Sequence, residues 1–87
     1  MFYKIKLVKP LLNYVLSVQF EDGTEKVYDV TPLFDKWNEF KTLTEVKGLF
    51  EQVKVDVGGY GVVWNDDIDL SCNEIWENGR VVEGVKA

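Results

Sequence analysis

The sequence contains no histidine, and this absence excludes several kinds of chemistry. Histidine is the usual general base near neutral pH, the partner of serine and cysteine nucleophiles, and the commonest transition-metal ligand. Only one cysteine, Cys72, is present, so no disulfide can form within the chain. We therefore expect no catalytic residue, no metal site and no cofactor, and we predict that the protein is not an enzyme.

Long apolar runs are also missing. No segment approaches the ~18 apolar residues that mark a membrane-spanning helix. The first residues, Met1–Lys6, are not followed by the apolar region of a signal peptide. A lone cysteine is typical of a reducing compartment. Together these features predict a cytoplasmic protein that has no membrane partner.

Basic side chains are scarce in the second half of the chain. Residues 1–43 hold six basic and six acidic side chains, whereas residues 44–87 hold four basic and nine acidic ones. The second half therefore carries the whole net charge of -5. Nucleic-acid surfaces need clustered lysine and arginine, so this distribution disfavours nucleic acid as a partner. The acidic half could face a basic protein, or it could be a solvated surface.

What the sequence does contain suits one small folded domain. The chain has 87 residues, of which 46% are hydrophobic and 14% aromatic, and these are values of globular proteins. It shows no repeat, linker or low-complexity segment. We predict a single α+β domain over residues 1–87, with a small antiparallel sheet built from hairpins and two or three short helices packed on it.

The first strand is predicted near the start of the chain. Tyr3, Ile5 and Leu7 alternate with two lysines, which is the period of a strand with one solvated face. Lysines in such a strand are typical of a sheet edge, where charge discourages pairing with other chains. Pro10 is expected to close this strand or to bend it away.

Two hairpins are predicted from alternation and glycine turns. The first has Asp22-Gly23 at its turn, with Tyr14, Leu16, Val18 and Phe20 on one face of the incoming strand. The second extends from Val53 to Trp64 and turns at residues 58–61, where three glycines lie. No helix is expected directly after these glycines, so they are interpreted as a turn rather than a phosphate-binding loop.

A short helical turn is predicted after the first hairpin. Thr31 precedes Pro32, a combination typical of an N-cap followed by the first helical residue. The turn would pack Leu33, Phe34 and also Trp37 on the sheet.

A second short helix is predicted over residues 44–50. Thr44 would cap it, and Phe50 would lie at its end, although Gly48 inside it weakens a helix by ~1 kcal/mol. Phe40 and Leu43, before this helix, are expected to be apolar anchors in irregular backbone.

The most acidic stretch is Trp64–Trp76, with the sequence WNDDIDLSCNEIW. Its oxygen-bearing residues partly match an EF-hand calcium loop that starts at Asp67. The sixth position of that loop would be Cys72 instead of glycine, and the twelfth would be Asn78 instead of glutamate. The spacing therefore disfavours a calcium site.

The same stretch contains a helix start. Ser71 and Glu74 have the spacing of a capping box, and Leu70 and Ile75 occupy the two positions of a hydrophobic staple. We predict a helix over residues 72–77 that ends at Asn78-Gly79. Residues 78–87 are then a turn followed by a weak strand or a frayed tail.

Four segments in this order resemble one known family. They are Phe20-Glu21-Asp22-Gly23, Asp29-Val30-Thr31-Pro32-Leu33, the segment from Leu43 through Phe50 to Val53-Lys54-Val55-Asp56, and the stretch from Trp64 to Trp76. The chain is similar, over residues 5–76, to a small and widespread bacterial family known only as a domain of unknown function. Two positions depart from the common pattern: Asp66-Asp67 stands where many members have a glycine, and Cys72 where many have proline.

The resemblance implies a fold and a setting but no activity. The family's fold is a small α+β domain with an antiparallel sheet and short helices. Members stand alone or are fused to a helix-turn-helix domain, and stand-alone members are often encoded beside another small protein, in an antitoxin-like gene pair. No helix-turn-helix segment lies in these 87 residues, so the resemblance does not imply direct DNA binding.

Two functions from different classes are compatible with these features. The first is a protein-interaction module, an acidic partner in a two-gene regulatory or antitoxin-like system, which binds a small protein encoded nearby and could also form a homodimer. The second is a ligand-binding or nucleic-acid-binding sensor domain of a transcriptional regulator. Candidate partner-binding residues are Asp66, Asp67, Asp69, Trp64 and Trp76, although tryptophans in so small a domain are more often core residues.

Overall fold

In the computed structural model, which describes residues 3–82, these residues form two antiparallel sheets and three short helices. The elements are β1 (Ile5–Leu11), β2 (Val15–Phe20), β3 (Glu25–Asp29), α1 (Leu33–Lys36), α2 (Asn38–Glu45), β4 (Lys54–Val55), β5 (Gly61–Asn65), β6 (Ile68–Ser71), α3 (Cys72–Asn78) and β7 (Arg80–Val81). The first sheet has the strand order β1-β2-β3-β7 and the second β4-β5-β6. The predicted α+β class is confirmed, with two sheets in place of one.

Strand β1 lies at an edge of the first sheet, as its lysines predict. The register against β2 shifts between Ile5 and Leu7, and this bulge reverses the alternation of buried and exposed side chains. Ile5 is therefore buried while Leu7 is exposed. The expectation that Pro10 closes or bends away the strand was wrong, since Pro10 pairs with Leu16 inside the sheet. An edge strand tolerates proline because one side of it needs no donor.

A tight turn that the sequence analysis missed joins β1 to β2. Asn13 and Tyr14 both have positive φ, 64° and 60°, in the left-handed region that non-glycine residues rarely occupy. The Tyr14 ring packs edge-on against Phe34 and Phe50, at centroid distances of 5.3 and 5.1 Å. These contacts offset the cost of the unusual backbone by filling the core with the ring.

The hairpin at Asp22-Gly23 is confirmed. Gly23 has a φ of 95°, and the Asp22 carboxylate accepts a hydrogen bond from the Thr24 amide at 2.9 Å. The side chains of Leu16, Val18 and Phe20 in β2 are buried, on the predicted face.

Both predicted helix starts in the middle of the chain needed correction. Helix α1 begins at Leu33, one residue later than predicted, and Thr31 does not cap it, because the Thr31 hydroxyl and amide bond the Asp29 carboxylate. The helix predicted over residues 44–50 was wrong. Helix α2 ends at Glu45, Thr44 lies in its last turn, and Gly48 has a φ of 82° that no helix can contain.

Helix α2 covers the segment that was predicted to be irregular backbone. Phe40 and Leu43 lie three positions apart on α2 and are both buried. Phe50 is also buried, but in a single 3-10 turn over Phe50–Gln52. The apolar positions were therefore interpreted correctly as core while their helix was misplaced.

The second sheet contains the predicted hairpin and one strand that was not predicted. Strands β4 and β5 pair on either side of a 3-10 turn over Val57–Gly59, where Gly58 and Gly59 have positive φ. Strand β6 then pairs with β5 through a two-residue turn at Asp66-Asp67.

One apolar core lies between the sheets and the helices. Its buried members are Ile5, Leu16, Val18, Phe20, Tyr28, Val30, Leu33, Phe40, Leu43, Leu49, Phe50, Val62, Trp64, Ile68, Leu70, Cys72 and Ile75. The predicted weak final strand is present as β7, which pairs with β3, and the rest of the predicted tail, residues 83–87, lies outside the described residues. Among residues 3–82 no helix is long and apolar enough to cross a membrane.

Candidate functional site

The turn between β5 and β6 is held by an asparagine side chain. Asn65 Oδ1 accepts hydrogen bonds from the amides of Asp67, at 2.8 Å, and Ile68, at 3.0 Å. This is the local bonding by which asparagine commonly closes a turn. Asp66 and Asp67, at the tip, are both exposed. Their carboxylates make no hydrogen bond within the described part of the chain that would explain their presence in the turn.

Asp69 lies two residues further on, on the solvent side of β6. It stands opposite Val63 of β5 and between the buried Ile68 and Leu70. Asp67, in the turn, and Asp69, in β6, both border the same depression of the surface. The fold thus brings two of the three aspartates of this stretch together on one surface.

The junction of α1 and α2 completes this surface. Trp37, Glu39 and Phe40 line a shallow depression of about 260 Å³ together with Asp67 and Asp69. We call these five residues the acidic depression. Trp37 is 40% exposed, whereas Phe40 is buried beneath it. Three acidic residues and a partly exposed tryptophan therefore line one depression.

The Trp37 ring is positioned by its neighbours. Trp37 has extended backbone, with a φ of -133° and a ψ of 125°, and it joins α1 to α2. The ring centroid lies 5.6 Å from that of Phe40, and Lys36 Nζ lies 4.9 Å from it. Sequence reasoning missed this residue as a site candidate and placed it in the core. The available signal was its position between the polar residues Lys36 and Asn38.

The acidic depression does not have the form of a metal site. Within residues 3–82, no three acidic or cysteine side chains converge closely enough to hold a metal ion. Glu39, Asp67 and Asp69 instead line the depression as three separate residues of like charge. Like charges held near one another repel, and an opposite charge brought between them relieves that repulsion.

Trp64, another candidate from the sequence, lies in the core. It is 4% exposed, and its indole Nε1 donates a hydrogen bond to the Phe50 carbonyl oxygen at 3.1 Å. Its ring also contacts those of Phe40 and Phe50. Trp64 therefore supports the acidic depression from below, through Phe40, rather than forming part of its surface.

Trp76, the last candidate, belongs to a different cluster. It is partly buried, stacks on Tyr3 at 3.7 Å and meets Phe20 edge-on at 4.9 Å. The Lys26 ammonium lies 4.3 Å from the indole centroid and donates a hydrogen bond to the Trp76 carbonyl oxygen. A cation at the last turn of α3 opposes the negative end of the helix dipole, so this cluster fastens α3 to the first sheet.

A second concave surface lies at the other end of α2. It is a groove of about 420 Å³ between the β1–β2 turn and the segment that follows α2. Its lining residues are Leu11, Leu12, Asn13, Tyr14, Leu43, Thr44, Glu45, Val46, Lys47, Gly48, Phe50 and Glu51. We call it the turn groove.

Comparison with known families places this fold. The model of the family described as a protein of unknown function (DUF2442) matches residues 5–81. The chain belongs to this family. The matched range begins with the first residue of β1 and ends with the last residue of β7, so the family domain is the complete pair of sheets. No similar protein of curated function and no similar solved structure was found.

The predicted start of α3 is confirmed in part. Ser71 Oγ accepts a hydrogen bond from the Glu74 amide at 3.0 Å, and both Leu70 and Ile75 are buried. The Glu74 carboxylate does not return to the Ser71 amide as predicted. It accepts instead from the Tyr28 hydroxyl at 2.8 Å and from Asn78 Nδ2 at 3.0 Å. Burial raises the pKa of Tyr28 well above its ordinary value, and the hydrogen bond to Glu74 raises it further.

Proposed function

We propose that the protein is an interaction module that presents the acidic depression to a basic partner protein. The observation that carries the proposal is the depression that Glu39, Asp67 and Asp69 line together with the partly exposed Trp37. The proposed partner is a small protein encoded beside it, in a bacterial two-gene regulatory or antitoxin-like system of the cytoplasm.

The chemistry of the depression supports a basic partner. A lysine or arginine that enters it would meet the carboxylates of Asp67 and Asp69 and would lie beside the Trp37 ring, over which the Lys36 ammonium already lies. Charge-assisted hydrogen bonds to the carboxylates and packing of the methylene groups of the side chain against the indole then act together. Tryptophan is also enriched among the few residues that carry most of the binding energy in protein interfaces.

Charge reversal tests this proposal. The tagged protein is co-expressed with the product of the adjacent gene, and the affinity of the complex is measured by titration calorimetry. We expect Asp67→Lys combined with Asp69→Lys to weaken binding at least about tenfold, because attraction becomes repulsion. Glu77→Lys together with Glu21→Lys changes the net charge equally at exposed positions outside the depression, and it should leave the affinity within about twofold.

Two results would contradict the proposal. One is that the neighbouring product does not bind the wild-type protein, and the other is that both charge-reversed proteins bind it equally well. The alternative function, a ligand-binding or nucleic-acid-binding sensor domain, stays a prediction. A gel shift on mixed DNA and RNA at low salt tests its nucleic-acid form. The absence of enzymatic activity also stays a prediction.

A further inference from the structure

The turn groove combines a concave surface with exposed apolar side chains. Leu11 and Val46 are exposed on its sides, and Leu12 at its edge is 86% exposed. Solvation of isolated apolar side chains is ordinary, but a group of them beside a groove is typical of an interface. This surface lies at the C-terminal end of α2, whereas Glu39 of the acidic depression lies at the N-terminal end.

Leu12 is held in its exposed position by a rigid turn. The two left-handed residues after it, Asn13 and Tyr14, fix the path of the backbone. The Tyr14 ring anchors that turn in the core between Phe34 and Phe50. A projecting residue whose neighbouring backbone is already fixed loses less backbone entropy when it binds, so the turn is preorganised for contact.

The charges around the turn groove have both signs. Glu45 and Glu51 line it as carboxylates, and Lys47 lines it as an ammonium group. In a twofold-symmetric contact both copies use the same surface, so if one residue contacts a second residue of the other copy, that second residue contacts the first in return. The surface must therefore be complementary to itself in shape and in charge. The projecting leucine can fill the groove of the other copy, which gives complementarity of shape. The lysine can face a glutamate of the other copy, which gives complementarity of charge.

We propose that two copies of this chain associate through the turn groove about a twofold axis. Leu12 of each copy enters the groove of the other copy, and Lys47 of each copy faces Glu51 of the other. Because both copies use the same surface, the contact closes as a dimer and does not extend into a filament. The acidic depression is not part of this contact, so each copy keeps its own.

Sedimentation velocity over a concentration series up to ~1 mM tests the proposal. We expect the wild-type protein to dimerise and Leu12→Glu to raise the dissociation constant at least about tenfold, because a carboxylate replaces the apolar contact twice in each dimer. Val57→Glu is the matched control. Val57 is 90% exposed and lies outside the turn groove, so this variant should dimerise like the wild type.

Charge exchange tests the pairing itself. Lys47→Glu should weaken the dimer, and adding Glu51→Lys to the same chain should restore it, because the exchanged charges again face their opposites. Thermal unfolding of each variant confirms that it is folded, which we expect since the side chains of Leu12, Lys47 and Glu51 are exposed.

Any of three results would overturn the proposal. The first is that the wild-type protein remains a monomer over the whole concentration range. The second is that Leu12→Glu and Val57→Glu both dimerise as well as the wild type, and the third is that both variants lose the dimer. Failure of the dimer would leave binding of a basic partner at the acidic depression untouched, so the two proposals are tested separately.

Discussion

The buried hydroxyl of Tyr28 provides a direct test of how α3 is fastened to the first sheet. Tyr28 lies in β3 with 4% of its surface exposed, and its hydroxyl donates to Glu74 Oε2 at 2.8 Å. Replacing it in Tyr28→Phe removes the donor and leaves Glu74 with the Asn78 amide. A hydrogen bond to a carboxylate contributes ~1.5 kcal/mol or more, so we expect the variant to be about 1.5 kcal/mol less stable at pH 7.

The difference between the two proteins should shrink at high pH. The pKa of Tyr28 is raised by burial and by Glu74 from its ordinary value of 10.0, so the folded state retains a proton that the unfolded chain releases. The stabilisation is complete below about pH 10 and falls by ~1.4 kcal/mol per pH unit well above it. At pH 11 the loss amounts to ~1.4 kcal/mol, which nearly removes the advantage of the wild type over Tyr28→Phe.

Urea unfolding followed by tryptophan fluorescence measures this difference between pH 7 and pH 11. The comparison isolates Tyr28, since every other titrating group is common to both proteins. Glu74→Gln is a useful third protein, because it removes the carboxylate charge while the burial of the Tyr28 ring remains. The stability of Glu74→Gln should begin to fall near pH 10, as in the wild type, and the fall should end at a lower pH, because the folded-state pKa of Tyr28 is raised less. A difference between wild type and Tyr28→Phe that stays constant from pH 8 to pH 11 would refute the reasoning.

Two further changes test the backbone, each by chemical denaturation. Gly59→Ala and Gly48→Ala both place a Cβ at a φ of +82°, but the new atom meets the Ile5 carbonyl oxygen at 2.8 Å only in the first. We expect Gly48→Ala to cost ~1 kcal/mol and Gly59→Ala clearly more, so equal costs would contradict the role of this close approach. Ser71→Ala removes the acceptor of the Glu74 amide at the start of α3 and should cost ~1 kcal/mol, an expectation that an unchanged midpoint would contradict.

The features that sequence reasoning placed correctly depend on neighbours in the chain. The turn at Asp22-Gly23 needs only the backbone freedom of one glycine and one aspartate side chain. The cap at Ser71 needs only a hydroxyl group three residues before the amide from which it accepts a hydrogen bond. Because these bonds form within a few residues, the sequence contains all of the information that specifies them.

The features that were misplaced depend on distant partners. Strand β6 pairs with β5 through hydrogen bonds, and its apolar–polar alternation spans only the four residues Ile68–Ser71, which is too short for the sequence to distinguish it from a turn. Pro10 remains inside β1 because that strand lies at an edge, a fact about the whole sheet. Glu74 turns from its own helix cap to Tyr28, which lies 46 residues away in the chain.

The candidate site divides in the same way. The sequence by itself determined that the carboxylates of Asp66, Asp67 and Asp69 lie outside the core, because the neighbouring apolar residues occupy the buried positions of this stretch. Only the tertiary structure decided what accompanies them. It buried Trp64, used Trp76 to fasten α3, and brought Trp37 from the junction of α1 and α2 to the depression lined by Asp67 and Asp69. The physical reason is that the charge and polarity of a side chain are properties of one residue and can be read from the sequence. The composition of a surface depends on which elements pack beside one another, and this is decided by the tertiary structure.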